Sequence, residues 1–335
     1  MTDTPDPREL SPFARSIVAI FEGEPTPPVE VPATSEVPED VADEAPEAAP
    51  VDVHESAAPE AASPSGAEAD ELKRAVAAYL ASSEGQGRAD AVEEVRSAYA
   101  AAKRTQSVEP QADAVAALAR VGGIRPEALW LARELVGPVV AASLVRKALH
   151  GPPESRDDRV ALLGSLGDEG VRAVADVLHG ADERRERSAL IEMLSELAPS
   201  APAVIEEMIS DGRWFVVRNA VHVLGEVGDP AALEHLTGTI AHEDALVRRE
   251  SILSIQKIGS EDAAPLVLAR LEDEDAAVRA SAARAVGALG IDRGYRALVA
   301  LLEDEDEEEV ITAACRALGA IGDPAAVPVL EKKAR

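Results

Sequence analysis

VRASAARAVGALG, residues 278–290, decides the fold. Val278, Ala282, Ala285 and Leu289 recur at the three- and four-residue spacing that places side chains on one face of a helix. Gly290 follows at once, and glycine there lets the chain leave a helix through the left-handed conformation. A second helical pattern, YRALVALLE at 295–303, then returns along the first. Such a helical pair leaves one apolar side uncovered unless a neighbouring pair stacks on it.

Working outward, the same apolar-Gly ending recurs at Leu166-Gly167, Val227-Gly228, Ile258-Gly259 and Ile321-Gly322, with Ala198 in the slot after the first. Successive spacings are 31, 30, 31, 31 and 32 residues. Thirty residues before Gly167, Val136-Gly137-Pro138 extends the series toward the N-terminus. The reading gives about eight pairs, with first helices starting near residues 88, 125, 156, 183, 213, 245, 276 and 307. A period of this length with two helical patterns per unit predicts a helical solenoid.

Composition agrees. Aromatic residues make up only 2% of the 335, so Ala, Leu and Val must form the core, and the β-branched and aromatic clusters that mark strands are missing. The formal net charge of −29 repels a phosphate backbone, which argues against nucleic acid as a partner. No apolar run approaches 20 residues, and MTDTPDPREL lacks a basic region followed by an apolar stretch, so membrane insertion is not expected and a cytoplasmic location is. The lone Cys315, in AACRAL, fits a reducing compartment and reads either as a small buried side chain or as a reactive thiol.

Residues 1–70 hold 17 acidic and two basic side chains and 12 of the 23 prolines, a composition that cannot bury enough apolar surface to offset its ordering entropy. Residues 23–69 therefore read as a disordered acidic linker. Before it, RELSPFARSIVAIFEG predicts a short helix within 1–22: Ser11 caps it, Pro12 suits its first position and Gly23 ends it. Leu10, Phe13, Ile17, Ile20 and Phe21 share a face. That face either docks in a partner's groove or folds back on the protein's own array. Residues 70–155 read as divergent helical pairs capping the array, and 156–335 as the regular repeats.

AVRASAARAVGALG at 277–290, VITAACRALGAIGDPAAVPVL at 310–330 and VRNAVHVLGEVGDPAALEHL at 217–236 resemble HEAT repeats, specifically the bacterial HEAT-like repeats also found in phycobilisome lyases. The match is strong over 213–335, fair over 156–212 and weak before that. The resemblance implies an all-α, right-handed α-α superhelical solenoid that acts as a non-catalytic scaffold or adaptor for a protein partner, with no cofactor; the alternative it leaves is a HEAT-fold enzyme or a chromophore-lyase-like subunit.

A di-iron hydroxylase of this fold uses several His-Glu dipeptides, whereas the repeats here offer only His242-Glu243. His150 and His179 close equivalent second helices, where a cationic side chain complements the helix dipole. The acidic runs EDED at 272–275 and EDEDEEE at 303–309 lie one period apart and predict a negative ridge, read as solvated turns or as a docking strip for a basic partner segment or a divalent ion. GRWFVVRNAVHVLGEVG departs most from the Ala-rich wording, placing Trp214, Phe215, Arg218 and Asn219 within little more than one turn. Trp214 and Arg218, four apart, share a face and have the composition of a binding hot spot. Trp214 also continues the stripe of Val217, Val221 and Leu224, so space-filling between repeats is the competing reading.

Overall fold

A computed structural model describes residues 66–82, 86–105 and 107–333. Leu10, Phe13, Ile17, Ile20 and Phe21, and the linker as far as residue 65, lie outside the described residues. Among the described residues there are helices and no strand. In chain order they begin with α1 (Gly66–Ala81), α2 (Gln86–Ala102), α3 (Glu109–Arg120), α4 (Pro126–Leu135), α5 (Pro138–His150) and α6 (Arg156–Ser165). Next come α7 (Asp168–His179), α8 (Arg184–Leu197), α9 (Pro202–Ile209), α10 (Trp214–Val227), α11 (Leu233–Thr239) and α12 (Ala245–Ile258). The last are α13 (Ala264–Ala269), α14 (Ala276–Ala288), α15 (Tyr295–Asp304), α16 (Glu308–Ile321) and α17 (Val327–Lys333). The even-numbered helices are the first helices of the pairs.

Contacts divide the chain after Ile321. Within 322–333, Asp323 accepts the Ala325 N–H at 2.9 Å, which starts the short turn leading into α17. Within 66–321, each helix is flanked by packed neighbours. Helix α1 starts inside the segment expected to be linker, because Leu72, Ala75, Val76 and Tyr79 give it a buried stripe. No single described helix is long and apolar enough to cross a membrane; α4 and α5 reach that length together but bend by 111° between them.

Local chemistry sets the helix ends. Asp244 and Asp275 cap α12 and α14, accepting the Leu246 N–H at 2.8 Å and the Val278 N–H at 3.0 Å. Gly167, Gly228, Gly259, Gly290 and Gly322, the five glycines of the sequence series, are the described residues with positive φ. Gly228 and Gly259 sit in the left-handed region as expected of a glycine that ends a helix. Two members of the series differ. Ala198 carries a Cβ and stays right-handed at φ −50°, running on into a turn of 3₁₀ helix. Gly137 is extended at φ −131° and leads directly into Pro138, so it opens α5 instead of ending α4 through a left-handed turn.

The core follows the first helices from α10 onward. Helix α10 packs on α12, α12 on α14 and α14 on α16, burying Val217, Val221, Ile252, Ile255, Val278 and Ala282. Small residues let these helices approach closely. A Cβ on Gly225 would come within 2.6 Å of Ser254 Oγ, and that hydroxyl donates to the Val221 carbonyl at 2.8 Å. In the N-terminal half the closer row is the second helices, α1 through α3 and α5 to α7. Cys315 is buried at 4% exposure.

An arginine ladder ties the repeats together. Arg187, Arg248 and Arg279, each the fourth residue of its helix, donate through Nη1 to the two carbonyls of the turn before: Ala181 and Asp182, His242 and Glu243, Asp273 and Glu274. Arg248 also forks onto Asp273 at 2.7 and 2.9 Å, and Arg279 onto Glu305 at 2.7 and 3.1 Å. Each acid turns its own backbone too, Asp273 accepting from the Asp275 N–H and Glu305 from the Glu307 N–H, both at 3.1 Å. Burial would raise the Asp273 carboxyl, but Arg248 and the Asp275 N–H bring it below its ordinary value; Arg279 foremost does the same for Glu305. The acidic runs are therefore not a uniform ridge. Asp273 and Glu305 point inward at 7% exposure as structural counter-ions, and Glu272, Glu274, Glu303, Asp306 and Glu307 remain outside.

Candidate protein-binding face

The α10 repeat breaks this ladder. Its fourth residue is Val217, and the position corresponding to Asp273 in the following turn is His242. The His242 side chain keeps the turn-capping role, its Nδ1 accepting the Asp244 N–H at 2.9 Å. Among the described residues no group of three or more His, Cys, Asp or Glu is placed to hold a metal ion.

With the ladder arginine gone, the start of α10 is organised differently, and all four residues singled out in its sequence come together there. Asp211 forks onto Arg213, at 2.9 Å to Nε and 2.8 Å to Nη2, and accepts the Arg213 N–H at 2.8 Å. These bonds, the side-chain ones first, lower the Asp211 carboxyl to about 2. Trp214 and Phe215 meet edge to face with centroids 5.9 Å apart. The Arg218 guanidinium lies 5.6 Å from the Trp214 ring centre, and that of Arg213 lies 5.6 Å from Phe215. Arg218 approaches Asn219 Oδ1 at 3.5 Å, beyond good hydrogen-bond geometry.

Exposure separates the four. Trp214, Phe215 and Arg218 are half-buried and Asn219 is buried. Trp214 is neither the fully exposed anchor nor the fully enclosed filler; it lies at the edge of the stripe begun by Val217 and Val221. His179 packs its ring against Phe215 with centroids 6.3 Å apart. Burial, and then Arg213, holds His179 below its ordinary pKa, so it is not the cation that a helix-dipole role requires; the apolar contact accounts for it better. On the next turn His222 Nδ1 meets Glu250 Oε1 at 2.7 Å.

A second exposed aromatic escaped the sequence reading. Trp130 is 61% exposed, with the Arg96 guanidinium 5.7 Å from its ring and forked onto Glu134. Its signal was available: Ala128, Leu131 and Ala132 form the buried stripe of α4, and Trp130 lies off it.

A family model described as HEAT repeats matches four overlapping stretches, 171–256, 201–274, 236–310 and 265–335. Residues 171–335 carry HEAT repeats. The phycobilisome-lyase subtype is a finer assignment that this match does not make. No curated protein sequence matches the chain. Among solved structures, the E. coli protein YibA is 18% identical with a TM-score of 0.37, covering 71% of this chain and 89% of its own. Human deoxyhypusine hydroxylase is 17% identical with a TM-score of 0.32, covering 76% of this chain and 97% of its own. The karyopherin Kap121p, bound to Pho4p, is 12% identical with a TM-score of 0.40; the match covers 78% of this chain and 39% of Kap121p.

Proposed function

We propose that this chain is a non-catalytic cytoplasmic scaffold that binds a partner protein through the face around Trp214, Phe215, Arg218 and Asn219. The observation that carries the reading is the break in the ladder: immediately before its two forked rungs, where Val217 and His242 stand in place of arginine and acid, the chain assembles two half-exposed aromatic rings, each with a guanidinium over it. Trp, Tyr and Arg in a partly desolvated cluster are the composition that dominates binding energy at protein interfaces. The exposed Glu272, Glu274, Glu303, Asp306 and Glu307 along the same array favour a partner with basic residues flanking its contact segment.

Affinity capture from the native cell, read by mass spectrometry, tests this with wild type, Trp214→Ala and Arg218→Ala. A partner lost with both variants while melting is unchanged supports the reading; capture indifferent to both overturns it. Bound iron by elemental analysis, or a chromophore in the absorption spectrum of the purified protein, would overturn the non-catalytic part.

A further inference from the structure

Helices α10 and α12 begin 31 residues apart, at Trp214 and Ala245, so Arg218 and Arg249 occupy the same fifth position on neighbouring first helices. The equivalent residues on α8 and α14 are Ser188 and Ala280. These two arginines stand one place after the ladder position and make none of its bonds. Arg218 has the 3.5 Å approach to Asn219 and no ion pair. Arg249 has no hydrogen bond or ion pair among the described residues, and its Nε is buried without a partner. The carboxylates nearest in the field of Arg218 are committed elsewhere: Glu250 to His222 at 2.7 Å, and Asp244 to the Leu246 N–H. Burial above all lowers the Arg218 pKa, the mark of a desolvated cation short of counter-charge.

The chain itself shows which group such an arginine takes. Arg248 and Arg279, a turn boundary away, hold Asp273 and Glu305 in forked pairs, the geometry for which the planar guanidinium is suited. We propose that Arg218 and Arg249 receive two carboxylates from one acidic stretch of the partner protein, laid across α10 and α12. Packed helices lie about 8–10 Å apart and an extended chain advances about 3.3 Å per residue, so the two acids stand about three residues apart. An apolar residue beside the first acid covers Trp214 and Phe215. The chain's net charge of −29 opposes an acidic segment at long range, so recognition rests on these two contacts.

This rests on the reading that the face binds protein, and the test separates the two. Trp130→Phe in the full-length chain leaves Trp214 as the one tryptophan. Its fluorescence is titrated with acetyl-Leu-Asp-Leu-Leu-Asp-Leu-amide and with the same peptide carrying Asn for both Asp. The expected result is a saturable change with the Asp peptide, at least about tenfold tighter than with the Asn peptide. Arg218→Gln and Arg249→Gln should each weaken it about tenfold with unchanged far-UV melting. Equal titration by the two peptides, no saturable response, or wild-type affinity in Arg249→Gln overturns the proposal. So does displacement of the peptide by an equal concentration of inorganic phosphate, which would reassign the pair to phosphate groups. If capture depends on Trp214 while the peptides fail, only the carboxylate assignment falls; if capture ignores Trp214, the binding face falls with it.

Discussion

Replacing Asp273 with Asn removes the buried, forked counter-charge of Arg248 and little volume, and leaves it the exposed Glu274 at 3.4 Å. The Arg248 and Asp273 side chains are 6% and 2% exposed, so the cation left behind cannot recover its hydration. Breaking one partner of a buried pair costs about 3–5 kcal/mol. Arg248 keeps its bonds to the His242 and Glu243 carbonyls at 3.0 and 2.9 Å, which places the expected loss near the lower end, about 3 kcal/mol. Arg248→Val should cost somewhat less, because Asp273 retains the Asp275 N–H and Arg270 at 3.3 Å. The double variant Arg248→Val, Asp273→His copies the Val217 and His242 rung found one repeat earlier, and should be more stable than Asp273→Asn alone. Urea unfolding by circular dichroism gives the loss, and hydrogen exchange over α12 and α14 locates it. Single-variant losses below about 1 kcal/mol, or a double-variant loss equal to the sum of the losses of Arg248→Val and Asp273→His measured singly, would refute the reasoning.

Three further outcomes follow from the same structure. Gly259→Ala should cost about 1 kcal/mol, since its φ is 72° and no atom lies within 4 Å of an added Cβ; Gly225→Ala, which overlaps Ser254, should lower the urea midpoint more, and the reverse order would contradict the packing described. The Asp211, Glu250, Asp273 and Glu305 carboxyls lie below their ordinary values, so their stabilisation is present above the unfolded values near about 4 and lost as pH falls through the folded ones; His179 is depressed as a base, so its share is lost as pH drops below about 6.5, and His179→Gln should flatten the melting profile on the acid side of that pH. Buried Cys315 should react with a thiol reagent only on unfolding, and rapid stoichiometric labelling of the native protein would show its burial to be wrong.

The repeats were legible because their determinants are local. Helical spacing, Asp caps and glycine ends are each written within a few residues, so Gly228, Gly259 and Gly290 revealed both period and backbone conformation. Val136-Gly137 misled as to geometry because a following proline favours extended backbone at the glycine, which the period alone does not show. The acidic runs were harder. Whether Asp273 faces solvent or Arg248 depends on a partner 25 residues away, and charge clustering does not distinguish the inward residue from its outward neighbours. The cluster at Trp214, Phe215, Arg218 and Asn219 was visible as a change of wording, whereas Arg249 became notable only when the helices fixed its register against Arg218.

Each rung joins an arginine near the start of one repeat to an acid at that repeat's own end, and the next arginine grips the carbonyls beside that same acid. Everything a new repeat requires of its neighbours is thus supplied by a stretch of one period. Duplicating residues 245–275 would give the copy an Arg248, an Asp273 and an Asp275 in the same relation to each other, and would present to α14 the turn it already binds. The number of repeats is therefore a variable that a tandem duplication can change in one step without a compensating substitution, and the length of the surface offered to a partner changes with it.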